Sequence, residues 1–171
     1  AMAVVNGEKR SSVIVHPENG VLPYNALGAQ RAAHTYFEGV GYDGPEQRPG
    51  VERCTEAWGS PPMGAFMYQF FEGFLQAADT FVIASAGFGS LRLIHMDEKS
   101  RPEAIRSFDR HSVGRWEGDT LVVETVNFNN RTWVDRRGLP HSEQLRVVER
   151  IRRDSDSELV IDIMVEDPIA Y

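Results

Sequence analysis

The chain has almost no cysteine. One residue, Cys54, stands among 171, which excludes an internal disulfide and a zinc cluster of the CxxC kind. Cys54 itself reads as a small buried apolar residue rather than a catalytic thiol. Long apolar runs are also missing: no segment approaches the roughly 20 residues of a membrane span. An excess of basic residues is absent too. The formal net charge is −7, the wrong sign for a general phosphate-backbone binder, so no nucleic-acid partner is expected. There is no GxSxG elbow, and Ser112 and Ser142 each follow a histidine in sequence, which points the two side chains apart in an extended strand. "GFGS" at 87–90 has neither a following helix nor a P-loop lysine and reads as a turn, so no nucleotide cofactor is implied. The start, "AMAVVNGEKR", lacks a basic-apolar-cleavage pattern, and "AMA" resembles a cloning scar. Both a cytoplasmic location and export after removal of a signal peptide stay open.

What is present divides at about residue 62. Residues 1–62 are rich in Gly, Pro and polar residues and read as an arm packed on the rest, not a separate domain. Its one helical signal is "NALGAQRAAHTYFEGV", with Asn25 as N-cap. "GYDGPEQRPGVERC" and "WGSPPMG" carry breakers throughout, and Trp58, Pro61 and Pro62 are expected to tuck under the domain. The arm could clasp a second subunit, making a homodimer, as easily as its own domain.

Residues 63–171 change character. Short alternating or apolar runs follow one another between turn signals: "AFMYQFFEG", "TFVIASAG", "SLRLIHMD", "HSVGRWEG", "TLVVETVNF", "LRVVERIRR" and "ELVIDIMVED". "EGDT" is a tight hairpin, with Gly118 giving backbone freedom and Asp119 turn chemistry, and "RDSDSE" joins the last two strands. No helical pattern of 10–15 residues separates the strands, which disfavours a doubly wound sheet. The fold class expected is all-β, an antiparallel up-and-down barrel that closes to protect its edges.

The stretch "HSVGRWEGDTLVVETVNFN", followed by "TWVDRRGLPHSEQLRVVER" and a strand ending in "EDPIAY", resembles a family of uncharacterised bacterial proteins associated with a lipocalin-like β-barrel. Members share an arm ending in an "RC" element, here Arg53-Cys54. The resemblance covers roughly residues 50–171, and residues 1–45 match only loosely. It implies bacterial origin and a barrel, and it carries over no catalytic residues.

A barrel of this size is either filled by side chains or holds one small ligand at its mouth. In "LRVVERIRR" the two-residue period puts Leu145, Val147 and Ile151 on one face, and Glu149 falls in that apolar row. A buried carboxylate needs a partner or a job. On the last strand Leu159, Ile161, Ile163 and Val165 face in, a row ending at Asp167. The strand 120–128 is ambiguous: if Val122, Glu124 and Val126 point inward, Glu124 joins Glu149 as an acid/base pair.

The long segment "NNRTWVDRRGLPHSE" holds Trp133, Asp135 and His141. His141 is an acid/base candidate, with Asp135 to orient it; the plainer reading is a turn in which His141 hydrogen-bonds the backbone. Trp116 and Trp133 would wall an apolar pocket. Arg92 is a counter-ion for an inward carboxylate, and His111 or Arg92 would stabilise developing negative charge. His95, Asp97 and His111 invite a two-histidine, one-carboxylate metal reading, but their spacing is not diagnostic and no metal is expected.

Two functions follow. The first is a cofactor-free acid/base enzyme, of isomerase, cyclase or lyase type, acting on a small apolar molecule through Glu149, His141, Asp135 and Glu124. The second is a non-catalytic carrier of a small hydrophobic ligand, with Glu149 in a structural ion pair. The number of ionisable groups converging inside the barrel discriminates them. A filled interior with a large exposed apolar patch would suggest a structural or partner-binding role instead.

Overall fold

The computed structural model of the protein describes residues 3–5, 7–10, 12, 14–32, 43–45, 71–85, 90–96, 106, 110–134 and 140–171. Cys54, Trp58, Pro61, Pro62, Asp97 and Asp135 lie outside these residues. Within them the arm contributes a short hairpin, β1 (Ala3–Val5) with β2 (Glu8–Arg10), and one helix, α1 (Ala26–Ala32). The hairpin is not legible in a three-residue strand pair such as "AVV" and "EKR". The helix starts as expected: Asn25 Oδ1 accepts a hydrogen bond from the Gly28 amide at 2.9 Å, satisfying one orphan donor of the first turn.

Seven strands form one curled sheet, a half-barrel, in sequential order. They are β3 (Phe71–Gln76), β4 (Thr80–Ser85), β5 (Ser90–Met96), β6 (His111–Glu117), β7 (Thr120–Val126), β8 (Arg146–Arg153) and β9 (Leu159–Glu166). The all-β expectation holds, with two corrections. First, β5 and β6 pair in parallel, Ile94 opposite Ser112 and Met96 opposite Gly114, so the sheet is mixed. A parallel pair needs a long return connection, and the stretch 97–110 provides one where a hairpin would need a few residues. Second, β3 runs beyond the end of "AFMYQFFEG", on to Gln76. Gly73, which reads as a terminator, lies inside the strand beside a register shift at Phe71/Gly73, as glycine at a bulge commonly does. Residues 65–70 lie outside the description.

The other pairings are antiparallel and follow the turn chemistry. Glu117 and Thr120 close the β6–β7 hairpin around Gly118, whose φ of 61° at the first central position is what a type II′ turn requires. Between β8 and β9 the amides of Asp154 and Ser155 both reach the Glu158 carbonyl.

Register then fixes which side chains share the concave face. Leu121, Ile151 and Ile161 are aligned across β7, β8 and β9; so are Val123, Glu149 and Ile163, and then Thr125, Val147 and Val165. Two apolar clusters occupy this face. One comprises Phe81, Ile83, Ile94, Met96, Leu121, Val123 and Ile151. The other comprises Phe128, Val134, Leu145 and Val147, capped by Leu22 and Tyr24 from the arm. The first is tightly filled: a Cβ added at Gly114 would come within 2.7 Å of Ile94 Cγ2 and 3.1 Å of the Met96 sulfur, so those side chains occupy the space that Gly114 leaves.

The arm is docked through the last residues of the chain. The Asn25 amide donates to the Ala170 carbonyl at 3.2 Å, and Tyr24 stacks on Tyr171 with centroids 5.4 Å apart. Gly28 lies so close to the Ala170 carbonyl that a Cβ would meet it at 2.0 Å.

Candidate functional site

Glu149 sits on the concave face and is fully buried. Its neighbours in the row, Val147 and Ile151, are buried too, as the two-residue period demands. The carboxylate has a partner. Arg92 on β5 approaches it with both terminal nitrogens: Nη1 donates to Oε1 at 3.0 Å and Nη2 donates to Oε2. The same Nη2 donates to Thr125 Oγ1 at 2.8 Å, and Nε donates to Ser112 Oγ at 3.3 Å. The two hydroxyls lie 3.0 Å apart and share a further hydrogen bond. Arg92, Ser112, Thr125 and Glu149 are all buried, one from each of β5 to β8. They form a polar layer on the concave face.

This layer is internally matched. A planar guanidinium donates bidentately to a planar carboxylate, the strongest form of charge-assisted hydrogen bonding, and the two hydroxyls take two more of its donors. Burial of either ion alone would cost several kcal/mol. Geometry of this quality is what makes burial of both tolerable.

The remaining sequence candidates go elsewhere. Glu124 does not join Glu149. Register puts Leu121, Val123 and Thr125 inward, so Glu124 faces out, where it accepts a hydrogen bond from Arg146 Nε at 2.6 Å. The strand reads ambiguously because its outward row is apolar as well: Val122 is 2% exposed, flanked in register by Arg115 and Arg150, whose aliphatic stems can cover it.

His141 is buried, but in a different cluster. Nδ1 donates to the Ser142 carbonyl at 3.0 Å, which fixes the tautomer because a carbonyl only accepts; Nε2 then accepts from the Thr132 hydroxyl at 2.9 Å. The ring packs edge-on to Phe128. Burial lowers its pKa, opposed by the hydrogen bond to Ser142 and the Asp167 charge. The backbone hydrogen bond that the plainer reading of "PHSE" expects of His141 is present, with the Ser142 carbonyl as its acceptor, just ahead of a turn that closes from Leu145 back to Ser142. Asp135, expected to orient His141, lies outside the described residues.

Beside His141 the sequence reading missed a clamp. Asp167 accepts from the Ser142 amide at 2.5 Å, from Ser142 Oγ at 2.8 Å and from the Ile169 amide at 3.0 Å. Tyr171 donates its hydroxyl to the Pro140 carbonyl at 3.0 Å. Asp167 was legible as the end of the inward row of β9; its partner, 25 residues away, was not.

The tryptophans do not form one wall. Trp116 lies opposite Leu121 at the start of β7, whereas Trp133 lies in the loop beyond its other end. Trp116 instead joins Phe81, with centroids 6.2 Å apart and edge-on, and Phe81 joins Phe74 at 6.0 Å. Phe74 and Trp116 are 38% and 44% exposed and flank Phe81, which is 9% exposed, so the three make an aromatic rim that opens to solvent at its two outer members. Phe81 is itself a member of the filled cluster around Gly114, and register sets Phe74 opposite Ile83, which lies opposite Arg92 of the polar layer.

His111 alternates with Ser112 and so leaves the Arg92–Glu149 layer for the convex face. There it stacks on His95, with centroids 5.0 Å apart. Among the described residues no group of three or more His, Cys, Asp or Glu is placed to hold a metal, and no helix is long and apolar enough to cross a membrane. In comparisons with known proteins the chain matches no family model, no curated protein and no solved structure.

Proposed function

We propose that this protein is a non-catalytic, lipocalin-like carrier of a small, largely apolar molecule, which it takes up at the rim formed by Phe74, Phe81 and Trp116. One observation carries the choice over acid/base catalysis. Both oxygens of Glu149 are engaged by Arg92, and the histidine that would share the chemistry is engaged at both nitrogens in another cluster. A general base needs a lone pair within reach of a substrate proton, and Glu149 has the surroundings of a structural ion. The rim supports the binding half of the reading, since aromatic side chains left half-exposed at the edge of a concave apolar face supply contact area to a ligand.

The test is small-molecule extraction and native mass spectrometry of the protein purified from its own host. Wild type is expected to carry an apolar compound unchanged, a Glu149→Gln, His141→Ala variant that stays folded to carry the same compound, and Phe74→Ala with Trp116→Ala to lose it. Accumulation in the Glu149→Gln, His141→Ala variant of a compound that wild type converts would replace the carrier with an isomerase, cyclase or lyase.

A further inference from the structure

The two edges of the seven-stranded sheet are built differently. β3 is six residues long and interrupted by the register shift at Phe71/Gly73; a short, bulged edge discourages further pairing. β9 is eight residues long, runs in unbroken register with β8, and has neither proline nor lysine between Leu159 and Glu166. Among the described residues no strand lies beyond it. The turn tells which main-chain groups face outward. The Asp154 amide donates to the Glu158 carbonyl at 3.0 Å, so this pair, in register with the ladder, is a hydrogen-bonded one. Such pairs alternate with non-bonded ones along an antiparallel ladder. Val160, Asp162, Met164 and Glu166 therefore turn their N–H and C=O toward β8, and Leu159, Ile161, Ile163 and Val165 turn theirs to the open edge. The side chains of this second row lie on the concave face, where Ile161, Ile163 and Val165 are only half-buried although their partners Ile151, Glu149 and Val147 are buried.

We propose that β9 pairs with β9 of a second copy of this chain, antiparallel about a two-fold axis at Ile163. Registers that keep both concave faces on one side are centred on a residue, and charge selects among them. A centre at Asp162 sets that carboxylate against its own copy, and a centre at Met164 sets Asp162 against Glu166; like charges directly opposite are unfavourable. A centre at Ile161 or Val165 pairs at most five residues of the strand. The centre at Ile163 pairs residues 160–166 with no like charges opposed: Asp162 meets Met164, and Glu166 meets Val160, which has Arg152 beside it on β8. On the concave face Ile163 meets its own copy and Ile161 meets Val165, so the apolar rows of the two chains join. The contact is isologous and closes at two chains. It is separate from the aromatic rim and independent of the carrier reading.

Mass measurement by light scattering across a dilution series, with amide hydrogen exchange at each concentration, decides it. A mass of two chains is expected, with the Ile161, Ile163 and Val165 amides exchanging more slowly as the dimer fills. Ile163→Pro removes an outward N–H and leaves the β8 ladder its donors, so it is expected to give the mass of one chain. Val160→Glu is expected to weaken the dimer several-fold and Val160→Lys to tighten it several-fold, since position 160 faces Glu166 of the second copy. A single-chain mass at every concentration overturns the proposal. So does a dimer in which those three amides exchange as fast as in the single chain, which would place the contact elsewhere and needs no variant to fold. Equal dimer affinity in Val160→Glu and Val160→Lys overturns the register.

Discussion

Two arginines of this sheet each hold glutamate, one on either face, and they do so on different physical terms. Arg92 meets Glu149 on the concave side with side-chain exposures of 7% and 0%. Arg146 bridges Glu124 and Glu166 on the convex side, where the three side chains are 41%, 31% and 50% exposed. The convex face of β8 continues in the same style, with Arg150 on Glu117 and Arg152 on Asp162. By residue type the two pairs look alike, each an arginine with glutamate on a neighbouring or nearby strand. Their energetics are opposite: a buried pair is indispensable once its partner is present, while an exposed pair is screened by water and each ion can stand alone.

The largest effect comes from breaking the inner pair. Glu149→Ala leaves the Arg92 guanidinium buried without a counter-charge and should cost about 3–5 kcal/mol, read as a lower urea midpoint at unchanged slope. Replacing both ions at once, Arg92→Met with Glu149→Leu, should bring stability back to wild type or above it, because apolar groups of similar volume have no charge to desolvate. A double variant as unstable as the single one would show that the layer does more than neutralise itself.

That inner pair was half legible. The two-residue period puts Glu149 inside and Arg92 on the face away from His95, so a counter-ion is legible from alternation alone. Ser112 and Thr125 were not, because hydroxyls give no periodic signal. The Glu124 face was unreadable for a related reason: arginine stems on the outer face let Val122 be buried there, so both rows of β7 look like core. Parallel pairing of β5 with β6 and the Ser142–Asp167 clamp depend on where distant segments meet, which local pattern does not encode. "EGDT", the Asn25 cap and the inward row of β9 are local, and all three read correctly.

The clamp ranks next. Asp167→Ala removes the acceptor for the buried Ser142 amide and hydroxyl together, and unsatisfied buried donors cost about 1–3 kcal/mol. The expected loss is about 2–3 kcal/mol, with amide hydrogen exchange at Ser142 and Ile169 accelerating beyond that of the β7–β8 ladder.

Acid should act on the same region first. Because burial holds the His141 pKa below its ordinary value, the unfolded chain binds a proton more readily than the folded one. Stability is therefore complete above the ordinary histidine value of about 6.5 and falls as the pH drops from there through the lowered value. Glu117, held low first by its hydrogen bonds from Arg115 and then by that from Arg150, loses its contribution further down, as the pH falls from the ordinary carboxylate value through the lowered one. Urea midpoints of wild type and His141→Gln measured from pH 8 to pH 5 check this: the difference between them should shrink as the pH falls. A constant difference across that window would remove His141 as the source.

The smallest effect sharpens the comparison most, because it tests the outer face at its best-connected point. Arg146 donates from Nε to Glu124 at 2.6 Å and from Nη1 to Glu166 at 2.5 Å, and both carboxylates raise its pKa. Two partners and short contacts would suggest a strong interaction if distance alone decided. Water has access to all three groups, so each is solvated when the arginine is gone, and ordering three long side chains offsets much of the Coulomb gain. Arg146→Ala should cost no more than about 1 kcal/mol, and the cost should shrink in 1 M NaCl, where the Debye length falls to about 3 Å. Glu149→Ala should show no such salt dependence, since its partner is out of reach of screening ions. Equal salt sensitivity at both sites would mean that solvent reaches Arg92 and Glu149, and the contrast between the two faces would then be one of degree.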